Sequence, residues 1–214
     1  MTWVAGVRRI GLLGGSFDPP HLAHLALGRL ALQALRLDEL RWLPAGTPWQ
    51  KAGRAMASAE HRAAMLALLV GDEPGQSIDT RELRREGPTY TLDTVLALQD
   101  EWAASGQAPA EWFLILGQDQ FARFDTWHCW PELLQRVTLA VAGRAGQAPA
   151  APPVLAGMAY RCARLDLPTM DISASAVRRQ RAGGHPVSTL VGEAVARYID
   201  QHQLYPPDRR PVLS

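Results

Sequence analysis

The sequence predicts an α/β protein of Rossmann-like type, with a mostly parallel sheet covered by helices on both faces, in a single domain. Three observations carry this expectation. Six short apolar runs alternate with longer stretches of helical period. The first run stops at a glycine pair and a proline pair that lead straight into a helix, "LLGGSFDPPHLAHL" at 12–25. The length of 214 residues and the 47% hydrophobic content suit one sizeable core.

The strands are read at "RRIGLL" (8–13), "ELRWLPA" (39–45), "QSIDT" (76–80), "EWFLILG" (111–117), "VTLAVAG" (137–143) and "ARLDLP" (163–168). Each is short, apolar and bounded by turn residues. Between the first two, Leu22, Leu25, Ala26 and Leu30 recur at helical spacing. Ser58 caps a second helix over 58–70, and "TLDTVLALQDEWA" (91–103) forms a third. "SASAVRRQRAGG" (173–184) is a fourth, closed by Gly-Gly, and "LVGEAVARYIDQH" (190–202) a fifth. The Gly/Ala/Pro-rich stretch 143–159 reads as a surface excursion between strands. The domain is expected over 1–205, with 206–214 as a C-terminal tail.

Composition excludes several classes of function. With 22 basic and 21 acidic side chains, the net charge is +1, which offers no field for nucleic acid or an anionic membrane. Basic character is almost wholly arginine, and Lys51 is the only lysine. No apolar run is long enough for a transmembrane helix, and the N-terminus has no signal-peptide pattern. Cys129 and Cys162 lie in unrelated contexts and read as free thiols, so a cytoplasmic location is expected. Nothing in the sequence sets the oligomeric state.

The connection after the first strand is chemically specialised. Gly14 and Gly15 let the backbone turn and approach a ligand without a Cβ in the way. Pro19 and Pro20 rigidify the helix entry, and the helix start offers unpaired N–H groups and a positive dipole end. His21 and His24, three residues apart, fall on one side of that first turn and can both donate to one phosphate. The stretch is neither a P-loop, since no G-K-[ST] follows, nor a G-x-G-x-x-G fingerprint. Two other readings stand beside a phosphate cradle. One is a tight turn with two exposed histidines; the other is a metal site of His21, His24 and Asp18, for which no further ligand is legible nearby.

"GSFDPPHLAH" resembles the [ST]-F-D-P-x-H-x-G-H signature of the nucleotidyltransferase superfamily, with Ala23 where that family usually has glycine. "DISASAVRR" (171–179) resembles its I-S-[ST]-[ST]-x-[IV]-R element. The resemblance implies that Gly14, Gly15, Ser16, Phe17, Ile172, Ser173 and Ser175 bind ATP, and that His21, His24 and Arg178 act on its phosphates. Ser173 or Ser175 as a plain helix cap is the alternative for the second element.

Three further stretches narrow the resemblance. "REGPTYTLDT" (85–94), "LGQDQFARFDTW" (116–127) and "VARYIDQHQLY" (195–205) are similar to the bacterial nicotinate-nucleotide adenylyltransferases. Such enzymes transfer AMP from ATP to nicotinate mononucleotide, giving deamido-NAD and pyrophosphate in NAD biosynthesis. The resemblance implies that Gly117 and Asp119 bind the adenosine ribose; the alternative for Asp119 is a helix N-cap. It implies that Tyr90, Thr91 and Trp127 hold the nicotinate nucleotide, with core packing the alternative for Trp127. Lys51 would help hold the triphosphate or be a solvated loop lysine, and Gln50 replaces a usual histidine. Mg²⁺ is expected as a substrate-bound ion, with no protein metal ligands. The rival functions are another adenylyl- or cytidylyltransferase with a different acceptor, and a non-catalytic nucleotide sensor.

Overall fold

The computed structural model describes residues 6–46, 56–144 and 149–206. Six strands form one sheet: β1 (Arg8–Gly15), β2 (Glu39–Pro44), β3 (Gln76–Ile78), β4 (Ala110–Gly117), β5 (Thr138–Arg144) and β6 (Cys162–Leu167). Their order is β3-β2-β1-β4-β5-β6 and every neighbouring pair is parallel. The order reverses between β1 and β4, so their carboxyl ends splay at a topological switch point where such sheets bind ligands.

Side-chain alternation explains the two-faced sheet. Ile10, Leu12, Leu114, Leu116, Leu139 and Val141 point to one core, against Leu92, Val95, Leu98 and Trp102 of helix α3 (Thr91–Ala104). Leu13, Phe113, Ile115, Ala140 and Ala142 point to the other. That second face is covered by Leu27 and Ala31 of α1 (Leu22–Ala34) and by Leu66 and Val70 of α2 (Ala59–Val70). With both faces covered, the central strands β1, β4 and β5 read as continuous apolar runs, whereas the edge strands β3 and β6 are half-exposed and mixed in composition.

Helices α4 (Gln118–Phe121) and α5 (Trp130–Arg136) follow β4. Neither is expected from sequence, because elements of four and seven residues are too short to display a helical period. Helix α6 (Ala174–Ala182) ends as expected at the glycine pair: Gly184 has φ +77° and its neighbour His185 donates back to Gln180 O at 3.0 Å. The expected fifth helix is divided at Gly192 (φ +83°) into α7 (Ser188–Val191) and α8 (Glu193–Gln201). A third cluster joins α6, α7 and α8 to the outer side of α1 and α2, through Val177, Val191, Val195, Ile199, Leu25, Met65 and Leu69.

The excursion after β5 is not wholly a surface feature. Its described part carries a single 3-10 turn (Pro153–Leu155) whose Leu155 is buried in the β1–β4–β5 core. No described helix is long and apolar enough to cross a membrane.

Candidate active site

The stretch from Gly14 to His24 turns where β1 ends. Phe17 adopts a left-handed backbone (φ 46°) that sends its ring inward, where it lies against Trp42 and meets the edge of His24 at 5.1 Å. A Cβ on Gly15 would lie 3.0 Å from the Phe17 ring, so a larger residue there would push the ring from its place over the loop. Gly14 differs. A Cβ there would meet nothing nearer than Leu43 O at 4.0 Å, and one on Gly117 would meet nothing at all. The protein's own packing demands neither glycine, yet both line the same cavity.

That cavity has a volume of about 530 Å³ and opens at the β1/β4 switch point. The size suits a small-molecule ligand. Around it the structure gathers Gly14, Gly15, Ser16, Phe17, His21 and His24 from the first loop and helix. Gly117 and Asp119 approach from the end of β4, Tyr90, Thr91 and Trp127 from the opposite wall, and Ile172 from the lead into α6. Most of the residues expected to serve ATP and all three expected to hold the acceptor therefore share one space. Lys51 and Gln50 lie outside the described residues.

The histidines are arranged as donors rather than as cations. His21 caps α1 and its main-chain N–H donates to His24 Nδ1 at 3.2 Å, so His24 carries its ring proton on Nε2. The rings stack at 3.6 Å between centroids. His21 is 7% exposed, and burial pushes its pKa down to about 4. It is neutral at pH 7 in the ligand-free protein.

Helix α6 presents its serines differently from one another. Ser173 caps the helix, its Oγ accepting from Ala176 N at 3.1 Å, while Ser175 Oγ accepts from the Arg178 guanidinium at 3.1 Å. Neither serine nor Arg178 lines the cavity wall. Arg178 instead reaches the rim through Asp18, donating to the Asp18 main-chain oxygen with Asp18 Oδ2 at 3.7 Å.

Asp119 is the second residue of α4; Gly117, not Asp119, is its N-cap. Its carboxylate is thus not used as the cap that the alternative reading required. Tyr90 caps α3 by its backbone and makes no side-chain cap, so the first N–H groups of α3 open beside Thr91 at the cavity. Trp127 is half-buried against Phe124 at 5.5 Å, combining core packing with a face on the cavity.

Several site residues escape sequence reasoning. His128 stacks on Tyr90 at 4.3 Å between ring centroids, extending the aromatic wall beyond Trp127. Buried Glu82 accepts from the Thr94 hydroxyl at 2.8 Å, and burial raises its carboxyl above the usual range. Arg62, 2% exposed, donates to the carbonyls of Ser16 (2.8 Å), Ala45 (2.6 Å), Gly46 (3.0 Å) and Ala57 (3.2 Å). It ties the first loop to Ala45 and Gly46 after β2 and to Ala57 before α2. Its signal was present: Arg62 shares the buried face of α2 with Met65, Leu66 and Leu69, a charged residue at an apolar repeat position.

Buried polar atoms without partners mark what the cavity is for. Among the described residues, His21 Nδ1, Thr89 Oγ1 and Trp127 Nε1 are buried and have no hydrogen-bond partner. All three residues line this cavity. Such atoms cost about 1–3 kcal/mol each unless a ligand or water satisfies them. No three His, Cys, Asp or Glu side chains among the described residues are grouped to hold a metal.

Comparison with known proteins places the chain in a family. The sequence profile of the cytidylyltransferase-like family matches residues 12–180. A probable nicotinate-nucleotide adenylyltransferase of Methylibium petroleiphilum is 48% identical over 206 residues, covering 94% of each chain. One of Bordetella petrii is 47% identical, covering 93% of this chain and 100% of its own. Among solved structures, Plasmodium falciparum nicotinic acid mononucleotide adenylyltransferase in complex with NaAD superposes with a TM-score of 0.73 at 17% identity, over 92% of this chain and 97% of that one. That likeness establishes a shared fold. The chain belongs to the cytidylyltransferase-like family and, within it, to the nicotinate-nucleotide adenylyltransferases.

Proposed function

We propose that the chain transfers AMP from ATP to nicotinate mononucleotide, releasing pyrophosphate and forming deamido-NAD, as a step of NAD biosynthesis. One observation carries the reading. A glycine-rich turn between β1 and α1 and an aromatic wall at Tyr90, Trp127 and His128 face the same cavity, where buried polar atoms of His21, Thr89 and Trp127 have no hydrogen-bond partner.

The chemistry is a direct in-line displacement. A 5′-phosphate oxygen of nicotinate mononucleotide forms a bond to the α-phosphorus of ATP. The bond from that phosphorus to the α–β bridging oxygen breaks, and pyrophosphate leaves with the electron pair. The attacking phosphate is already an anion at neutral pH, so no general base is needed. The protein supplies position and charge stabilisation. His24, its proton held on Nε2 by the His21 main chain, donates to the α-phosphate region. Neutral His21 donates beside it. A phosphate anion there opposes the burial that keeps His21 neutral, so positive charge on His21 can develop beside the transition state.

Lys51, Ser175 and Arg178 stabilise the departing pyrophosphate in this reading. Gly14, Gly15, Ser16, Phe17, Ile172 and Ser173 shape the cradle, and Gly117 and Asp119 receive the ribose. The acceptor's carboxylate lies at the open end of α3, at Tyr90 and Thr91, with its ring on Trp127.

Nucleotidyltransferases of this type typically use a divalent metal, which here we take to be Mg²⁺. The donor set fits an ion held by substrate oxygens and water. Asp18, the carboxylate of the first loop, has Oδ1 occupied by Tyr205 and Ala57, and among the described residues no three His, Cys, Asp or Glu side chains are grouped as a metal cage. When bound, the metal neutralises phosphate charge. Cytoplasmic residence is part of the same proposal, supported by the exposed free thiols Cys129 and Cys162.

The test is incubation of the purified chain with ATP and either nicotinate mononucleotide or pantetheine phosphate, monitored for pyrophosphate. Turnover with the nicotinate nucleotide is expected. Turnover with pantetheine phosphate alone, or binding without pyrophosphate, would overturn the reading.

A further inference from the structure

Helix α8 ends in a closure normally built on glycine. Gln203 N donates to Asp200 O at 3.1 Å and Leu204 N to Ile199 O at 3.0 Å, with Gln203 at φ 50°. Tyr205, two residues on, is again left-handed at φ 53°. Two non-glycine residues in this region cost about 1 kcal/mol or more each, so something else in the fold must hold them there.

Tyr205 is held by a bond across nearly the whole chain. The Tyr205 hydroxyl donates to Asp18 Oδ1 at 2.7 Å, and Ala57 N donates to the same oxygen at 3.1 Å. Asp18 is 2% exposed. Its main-chain oxygen accepts from Arg178, whose guanidinium also lies 3.7 Å from Asp18 Oδ2. Asp18 is therefore the seat of Arg178, and Tyr205 grips the carboxylate of that seat. Burial, reinforced by the Asp18 charge, pushes the Tyr205 phenol far above its ordinary range, so it stays a donor at any working pH.

We propose that Tyr205 is a positioning residue for adenylyl transfer, fixing the Asp18 carboxylate and through it the aim of the Arg178 guanidinium. The proposal rests on the reading of Arg178 as a phosphate-binding group. A helix-terminal tyrosine that only filled space would need no hydroxyl. Its ring already packs in the cluster formed by α2 and α8.

Tyr205→Phe keeps that ring and removes the bond. In the full chain it is expected to lower kcat roughly tenfold, leaving KM for both substrates within about twofold, because misaimed charge is felt in the transition state. In an Arg178→Lys background, Tyr205→Phe should add almost nothing. The Arg178 guanidinium itself gives a readout independent of turnover: its hindered rotation, measured by ¹⁵N NMR, should speed up in Tyr205→Phe. Unchanged kcat, an equal loss in both backgrounds, or unchanged guanidinium rotation overturns the proposal. A wild-type chain that releases no pyrophosphate refutes the functional reading instead, and the NMR measurement then decides the link between Tyr205 and Arg178 alone.

Discussion

The imidazole rings of His21 and His24 lie 3.6 Å apart with their planes inclined by 22°. His21 is kept neutral by burial and His24 accepts at Nδ1, so in the free protein the pair presents hydrogen-bond donors rather than two cations. In the proposed reaction these donors would be felt most where charge grows on the α-phosphate in the transition state.

Replacing either ring should therefore injure turnover more than affinity. His21→Ala and His24→Ala are each expected to lower kcat by about two orders of magnitude, with little change in ATP binding. Steady-state kinetics beside calorimetric ATP titration checks this. A folded variant with near-wild-type kcat would remove that histidine from the mechanism.

Stability should depend on pH through His21. Its pKa is about 4 in the fold against 6.5 when unfolded. Between those values the unfolded chain binds more protons, so stability rises with pH. The contribution is complete above pH 6.5 and is lost as pH falls towards 4, amounting to roughly 3 kcal/mol. Urea unfolding at pH 4.5 and pH 7 should show a smaller loss for His21→Gln than for the wild type. Identical pH dependence in the two proteins would show that His21 is not desolvated as described.

Acceptor choice should favour the acid over the amide. A carboxylate can accept from every N–H at the start of α3, whereas a carboxamide must turn an NH₂ towards at least one of them. The unpaired donor and the lost charge together suggest roughly a hundredfold preference in kcat/KM for nicotinate over nicotinamide mononucleotide. Trp127→Ala should weaken the use of both acceptors while much of the preference persists. Equal kcat/KM for the two in the wild type would displace the pocket assignment even if adenylyl transfer occurred.

Arg62 should matter for folding first. Removing its guanidinium strips donors from the carbonyls of Ser16, Ala45, Gly46 and Ala57 and leaves Asp18 less compensated. Arg62→Leu is expected to destabilise by about 3–5 kcal/mol, and Arg62→Lys to recover only part, since one ammonium cannot span four acceptors. Chemical denaturation measures both. A loss below about 1 kcal/mol would mean that water replaces the guanidinium easily.

Metal dependence separates a substrate-bound ion from a protein-bound one. Activity is expected to stop with a chelator, return with Mg²⁺, and not return with zinc alone. Stoichiometric zinc retained through purification, with activity restored by zinc only, would revive a site built on His21 and His24.

Much of the fold was legible because parallel strands buried on both faces must be apolar throughout, and their helices must show a stripe. Leu12–Leu13 and Leu114–Leu116 announce strands for that reason. The site was legible where local backbone and ligand chemistry coincide, as at Gly14, Gly15, His21 and His24. Helices α4 and α5 were not, being too short for periodicity, and His128 was hidden because nothing local pairs it with Tyr90.

By itself the sequence determined the order of the strands and longer helices, the glycine- and proline-built turn after β1, and part of the cavity lining, including Gly14, His21, Tyr90, Asp119 and Trp127. Tertiary structure alone decided their electrical state and their supports. Burial, which no local window reveals, makes His21 neutral and Glu82 reluctant to ionise. Chain crossing at the sheet's switch point brings Asp18 within reach of Tyr205, 187 residues away, and of Arg178, 160 residues away. Local propensity fixes the shape of each segment, but desolvation and long-range hydrogen bonds exist only once the segments have packed.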